Sequence, residues 1–229
     1  PDSARASIAA RVEKLACSLF EAQKPESSAR LALWESCLQS TRSTAGVERV
    51  ANGLKFRKPP KGIPWDLEQR WKMAAVLARN GAAAAPSTIA SLEKDDPSDR
   101  GRKRAQQLRA ELPNPQTKKD LLDQLLPEAT AQANAQATAT TAAPSLEARR
   151  EIAMGLLITG QESILEPLLA DRYFDALPRL VAESDPEHAT RMASILFPAF
   201  CRADLAAKAR GLASSRSEEF PEPVLEVLR

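Results

Sequence analysis

The sequence predicts an all-α fold, and three observations support that prediction. Apolar residues recur every three or four positions along most of the chain, which is the spacing of one helix face. No run alternates Val, Ile, Thr and Tyr in the manner of a strand. The 17 prolines look like punctuation between periodic stretches, not a low-complexity tract, so they indicate joints between helices.

The N-terminal part divides into three predicted helices. The first runs from Ser3 to Gln23 and carries apolar residues spaced for one face, namely Ile8, Val12, Leu15, Leu19 and Phe20. Two shorter helices follow, at Glu26–Ser40 and Thr44–Leu54. A basic loop rich in Pro and Gly then separates this part of the chain from the next helix.

The helix with the clearest start and stop signals lies between Ile63 and Gly81. Asp66 is suited to cap its N-terminus, with Gln69 three residues later, and Gly81 can close its C-terminus in a left-handed conformation. Apolar residues lie on more than one side of this helix, which is typical of a helix packed between neighbours. Arg70 lies beside the apolar stripe, so we expect it to be partly covered.

The remaining helices are predicted from their start signals and apolar stripes. N-caps are predicted at Asp96 (with Pro97), Asn114 (with Pro115), Ser145 and Asp185 (with Pro186). Further helices are predicted at Pro86–Leu92, Leu165–Ala182, Ala203–Ala213 and Pro223–Leu228. Residues 129–144 consist almost entirely of Ala, Thr, Gln and Asn, which predicts either a flexible, partly ordered linker or a frayed helix.

Roughly ten helices with short joints predict a particular all-α architecture. We expect a right-handed α-α superhelix, that is, a HEAT- or armadillo-like solenoid of antiparallel helices. One such solenoid would form a single domain over residues 1–229. The chain begins with Pro1 and not with Met, and we expect it to be a piece of a longer protein.

Charge and cysteine content limit the binding partners and the cellular compartment that we expect for the protein. The chain has 32 basic and 30 acidic residues, and its net charge of +2 predicts neither nucleic-acid nor membrane binding. The basic run Arg100–Arg104 directly follows an acidic run and contains no aromatic side chain, which favours a solvated helix face over a phosphate site. Cys17, Cys37 and Cys201 form no CxxC pair, and we expect free, buried thiols in a reducing cytoplasm.

The single histidine, His188, limits the catalytic chemistry that the chain can perform. An HExxH zinc site needs two histidines one helical turn apart, and a Ser-His-Asp triad would have to use His188. Glu187 is its neighbour on a helix and points about 100° away, so a surface histidine is the better interpretation. GxSxG, Walker-type and GxGxxG motifs are absent. We therefore predict no catalytic residue, metal ligand or cofactor in this chain.

Several segments resemble the C-terminal helical domain of the zinc aminopeptidase N family, and their order along the chain is similar to the order in that domain. Residues 66–81, DLEQRWKMAAVLARNG, are similar to its Arg-Trp helix, and residues 96–118, DPSDRGRKRAQQLRAELPNPQTK, are similar to its Asp-x-x-Asp-x-Gly helix and the following lysine. RLALW at Arg30–Trp34, RYFDALPRL at 172–180 and ILFPAF at 195–200 match further segments. Leu121 and Leu122 stand where the family usually has a tryptophan, and the Ala/Thr/Gln-rich stretch is also a departure.

The resemblance implies a specific role. In that family the catalytic domain, which carries the HExxH motif and the zinc ion, lies upstream, and the C-terminal solenoid closes over the active site. The implied partners are the upstream catalytic domain of the same polypeptide and the C-terminal end of a peptide substrate. Zinc would be held upstream, because none of the catalytic or metal-binding positions maps onto this chain.

Three arginines are candidates for contact with the substrate carboxylate: Arg70, because of its flanking position, and Arg149 and Arg150. For each, a salt bridge within the helical stack is an alternative role. The alternative for the whole chain is a free-standing helical-repeat scaffold that binds another protein through its concave face. A cytoplasmic location is expected in either case.

Overall fold

The computed structural model describes residues 2–126, 145–200 and 202–229. These residues form helices without any strand. The twelve helices are α1 (Asp2–Ala22), α2 (Arg30–Ser40), α3 (Thr44–Lys55), α4 (Leu67–Arg79), α5 (Ala85–Asp95), α6 (Asp99–Glu111), α7 (Pro115–Leu125), α8 (Leu146–Leu156), α9 (Glu162–Glu183), α10 (Pro186–Leu196), α11 (Ala203–Ser215) and α12 (Glu222–Leu228).

The chain divides into two compact units, Pro1–Leu112 and Pro113–Arg229. Within each unit a helix packs mainly on helices one or two positions away along the chain, as in helical solenoids. The all-α prediction is confirmed. The handedness of a superhelix, and one solenoid over the whole chain, stay predictions. The predicted linker at 129–144 lies outside the described residues.

Helix α4 is the centre of the first unit. It packs against α2, α3, α5 and α6, and six of its apolar side chains are at most 3% exposed: Trp71, Met73, Ala74, Val76, Leu77 and Ala78. Its ends match the sequence signals. The Asp66 carboxylate accepts a hydrogen bond from the Gln69 backbone N–H at 2.8 Å, and Gly81 has a φ of 66°.

Other predicted N-caps are also confirmed. Side-chain oxygens of Asn114, Ser145 and Asp185 each accept a hydrogen bond from the backbone N–H three residues later, at 2.9, 3.2 and 2.9 Å. The second helix begins at Arg30 and not at Glu26, because the residues after Pro25 form turns.

The predicted cap at Asp96 is wrong, because Ser98 caps α6 instead. The Ser98 hydroxyl accepts a hydrogen bond from the Gly101 N–H at 3.1 Å. Asp96 is used elsewhere: its carboxylate accepts hydrogen bonds from the Ser98 hydroxyl at 2.6 Å and from the Trp71 indole N–H at 3.0 Å. This contact joins the start of α6 to the buried face of α4.

Gly101 permits the close approach that this joint requires. A Cβ atom at position 101 would lie 2.1 Å from the backbone oxygen of Asp96 and 2.6 Å from its Cγ. The backbone oxygen cannot swing aside as the end of a side chain could, and two hydrogen bonds hold the Asp96 carboxylate, so any larger residue at 101 would push α6 away from the joint.

Four of the five residues in the apolar stripe predicted on α1 share one face, but that face points outward, and only Phe20 of the predicted set is buried. Ile8, Val12, Leu15 and Leu19 are 60%, 51%, 62% and 45% exposed. The inner face of α1 instead carries Glu13, Cys17 and Phe20. The physical reason is that a disulfide, a ring contact and three hydrogen bonds, described below, orient this face toward α2 and α3.

Two buried polar side chains contribute contacts to the interior of the second unit. The Tyr173 hydroxyl donates to the backbone oxygen of Ala193 at 2.9 Å, and the Tyr173 ring packs edge-on against Phe174 and Phe197. The Lys118 ammonium is fully buried and donates to the backbone oxygen of Leu156, the last residue of α8, at 2.9 Å.

Two prolines do not lie between helices as the sequence suggested. Pro167 and Pro178 stand inside the long helix α9, which runs without a break from Glu162 to Glu183. A proline inside a helix removes one backbone hydrogen bond. Buried side chains on both sides of each proline, among them Leu165, Leu169 and Leu180, offset that loss by packing.

We predict that Gly101→Ala destabilises the first unit by roughly 1–3 kcal/mol, because the added methyl group overlaps the Asp96 backbone. The three tryptophans all lie in this unit, so fluorescence during urea unfolding reports on it directly. The matched control is Gly211→Ala in α11, where a Cβ meets nothing within 4 Å. That variant should stabilise the second unit by about 0.5–1 kcal/mol, measured by circular dichroism because this unit has no tryptophan, and should leave the fluorescence transition of the first unit unchanged. Equal effects of the two changes would contradict the steric account.

We predict that acid weakens the Asp96 contact. Hydrogen bonds from Ser98 and Trp71 lower the pKa of the Asp96 carboxyl. A carboxyl whose pKa is lowered by folding stabilises the protein above its unfolded-state pKa, and this contribution is lost as the pH falls through its folded-state pKa. The difference in unfolding free energy between wild type and Asp96→Asn should therefore shrink from pH 6 to pH 3. A difference that is constant over this range would argue against the contact.

Candidate functional site

Arg70, the first predicted site residue, is engaged within the first unit. Its guanidinium forms an ion pair with Asp95 and lies 5.8 Å from the centre of the Trp65 ring. The side chain is 21% exposed, as expected from its position beside the apolar stripe. The ion pair shows that Arg70 has a structural role, and a carboxylate ligand would have to compete with Asp95.

Arg149 and Arg150 both lie in the second unit but line different cavities. Arg149 borders a cavity of about 100 Å³ together with Arg179 and Glu183, and its guanidinium donates to the Leu125 backbone oxygen at 3.0 Å. Its Nε atom is buried and has no acceptor among the described residues. Burial lowers the pKa of Arg149. Arg150 is exposed and borders a second cavity of about 230 Å³.

His188 borders the same cavity as Arg150 and is half-buried, not fully on the surface. Its Nε2 atom is buried without a partner in the described residues. Burial and the nearby Arg149 lower the pKa of His188, against the opposing effect of Asp185. Glu187 forms an ion pair with Arg191 and does not orient the imidazole, as the helical geometry predicted.

The prediction of free thiols is wrong for two of the three cysteines, because Cys17 on α1 and Cys37 on α2 form a disulfide. Cys201 lies outside the described residues. Disulfides persist in oxidising compartments and are rare in the cytosol. The pairing weighs against the expected cytoplasmic location, which itself stays a prediction.

The disulfide borders a cavity of about 620 Å³ between α1, α2 and α3. Glu13 also lines it and accepts hydrogen bonds from the backbone N–H groups of Arg42 and Ser43, at 2.8 Å each, and from the Ser43 hydroxyl at 2.6 Å. Burial alone would raise the pKa of Glu13. These hydrogen bonds lower that pKa by a larger amount, so it lies below its ordinary value. The Trp34 indole N–H at this cavity is buried and has no acceptor in the described part of the chain.

Two sequence signals could have identified the disulfide. Cys17 and Cys37 are equally far from Ser27, and so are Phe20 and Trp34, whose ring centres lie 5.2 Å apart. In an antiparallel pair of helices, residues equidistant from the turn face each other. The turn near Ser27 therefore brings both pairs into contact, and the strong apolar pattern of α1 drew attention to the opposite face.

That opposite face is an exposed apolar stripe on the first unit. We call Ile8, Val12, Leu15 and Leu19 the outer α1 face. Its members recur at one-turn intervals, and each is at least 45% exposed. Large exposed apolar patches on proteins mark interaction sites.

In the described ranges no group of three His, Cys, Asp or Glu side chains is close enough to hold a metal ion, and no helix is long and apolar enough to cross a membrane. No known protein family and no curated protein matches the chain. Its function therefore has to be inferred from its own contacts.

We predict that thiol titration of the unreduced, denatured protein detects one free thiol per chain and not three. The disulfide closes a loop between residues 20 positions apart, so its reduction should lower the unfolding free energy of the first unit by about 3 kcal/mol. Tryptophan fluorescence measures this change. Cys201→Ser is the control and should leave that stability unchanged. Three reactive thiols, or no effect of reductant, would contradict the pairing.

Proposed function

We propose that this chain is a non-catalytic helical domain like the C-terminal domain of a zinc aminopeptidase, closing over an active site elsewhere on the same polypeptide. In this role the domain limits which peptides reach the active site. The mechanism is steric and electrostatic: packed helices form a wall, and cations near that wall attract the carboxylate of a bound peptide.

The single observation that carries the proposal is the contact between the two most informative matching segments. Trp71 comes from the Arg-Trp helix, and Asp96 and Gly101 come from the Asp-x-x-Asp-x-Gly helix. The indole of Trp71 donates to Asp96, and Gly101 allows the backbone to approach that carboxylate. Residues that interlock in this way are needed by a fold, which supports a resemblance in architecture over a chance likeness of short motifs.

The matching segments of the second unit also provide buried contacts. Lys118 stands at the lysine position of the resemblance and binds a carbonyl at the end of α8. Tyr173 and Phe197 come from the two aromatic segments and pack edge to face at 5.8 Å. Both observations support a structural role for these residues.

The residues of this chain do not fit the zinc site of that family. The chain has one histidine, whereas an HExxH site needs two. We therefore assign zinc to the upstream catalytic domain and derive no catalytic step here. Among the three arginines, Arg149 is the best candidate for contact with a peptide carboxylate, because it borders a cavity and its Nε lacks an acceptor among the described residues.

One observation favours the alternative, a free-standing scaffold that binds another protein. The outer α1 face is exposed and apolar, as a protein-binding surface would be. The coding sequence that precedes Pro1 separates the two candidates. An HExxH motif followed by a helix with a further glutamate supports the aminopeptidase role, and a start codon directly before Pro1 supports the scaffold.

We predict that the chain alone, with added zinc, does not hydrolyse amino-acid p-nitroanilides. If the upstream region carries HExxH, the complete polypeptide should hydrolyse them. Deleting the present chain should then raise cleavage of long peptides relative to p-nitroanilides, because a steric barrier has been removed. The Arg149→Met variant of the complete polypeptide should raise KM for peptides and leave KM for p-nitroanilides unchanged.

Either of two results would contradict the proposal. The first is turnover that copurifies with the present chain and is lost when the chain is removed. The second is an unchanged ratio of peptide to p-nitroanilide cleavage after the deletion.

A further inference from the structure

The contacts of the inner face of α1 hold this helix in place without any contribution from the outer α1 face. Cys17 is bonded to Cys37, Phe20 packs on Trp34, and Glu13 accepts three hydrogen bonds at the start of α3. These contacts attach α1 to α2 and α3 by covalent, aromatic and polar interactions. The outer α1 face is therefore not needed to hold the helix in place, and its apolar character requires another explanation.

The spacing of the outer α1 face is that of a helix that fits into a groove. Counted from Ile8, the other three members lie four, seven and eleven positions further on, so all four point in one direction. Amphipathic helices bind apolar grooves through anchors at this spacing. Because the inner face is fixed, the four side chains form a preformed ridge that needs no folding on binding.

The charges around the ridge are positive. Arg11 and Lys14 flank it, are exposed, and form no ion pair in the part of the chain that the structure describes. The two acidic side chains of α1 that the structure describes do not balance them: Glu13 is turned inward at 8% exposure, and Glu21 is paired with Arg49 at 3.2 Å. A partner with complementary charge therefore carries acidic side chains at the edge of its apolar surface.

We propose that the outer α1 face binds an apolar groove with an acidic rim on another protein. The inference does not depend on the proposed function. A second copy of this chain is a poor occupant, because it would bring Arg11 and Lys14 against like charges. A lipid surface is also a poor fit, because the ridge has no aromatic side chain to anchor it at a membrane interface.

The test uses a synthetic helical hairpin that presents a leucine groove with a glutamate rim, measured by fluorescence anisotropy. The intact chain should bind this hairpin more tightly than a hairpin with a lysine rim. Leu15→Asp should weaken binding about tenfold or more, because it removes one buried aliphatic anchor. Arg11→Glu combined with Lys14→Glu should reverse the preference between the two rims.

Phe56→Asp is the matched control, because Phe56 is 66% exposed and lies outside the ridge. It should leave affinity for the hairpin unchanged. Circular dichroism checks that each variant is folded, and Ile8→Asp is the second ridge variant if Leu15→Asp unfolds. Hairpin binding that is insensitive to both ridge variants would overturn the proposal. So would Leu15-dependent dimerisation in sedimentation, or Leu15-dependent binding to phosphatidylserine vesicles without hairpin binding.

Discussion

The hydrogen bond from the Trp71 indole to the Asp96 carboxylate is the contact on which the first unit depends. It joins the central helix α4 to the joint between α5 and α6, and it directs Asp96 away from the helix cap that Ser98 then provides. The joint closes only with glycine at position 101, since a Cβ there would overlap the Asp96 backbone. One polar contact and one missing side chain thus determine how three helices meet, and the apolar packing of α4 surrounds that arrangement.

Local signals predicted much of the fold, and long-range contacts account for the failures. Helix α4 and the cap at Asp66 were predicted because propensity, capping and periodicity act within a few residues of each other. Asp96 was assigned the wrong role because it and Ser98 are both suitable caps, and only the distant Trp71 decides between them. Local signals did not show which face of α1 packs inward, for a similar reason. A disulfide partner on another helix outweighed the apolar periodicity, which says nothing about what the opposite face contacts.

The candidate site was predicted less completely than the fold. The sequence identified cationic residues but not their partners, because ion pairs join residues that are distant along the chain. Arg70 pairs with Asp95, and Arg149 borders a small cavity that no local pattern indicates. The segments that resemble an aminopeptidase domain supply buried contacts, so they support the inference about the fold. The outer α1 face supports the inference about a partner protein. The aminopeptidase-like role and the binding of a partner can therefore succeed or fail separately.

A double-mutant cycle between Trp71→Phe and Asp96→Ala is the most direct measurement of this account, because each change removes one side of the hydrogen bond and the cost of each truncation cancels in the cycle. The unfolding free energies of the wild type, both single variants and the double variant, followed by fluorescence of the remaining tryptophans at pH 7, give the coupling energy. The account predicts a coupling of about 1 kcal/mol or more in favour of the native pair. Additive single effects would show that the two helices are held together by something else.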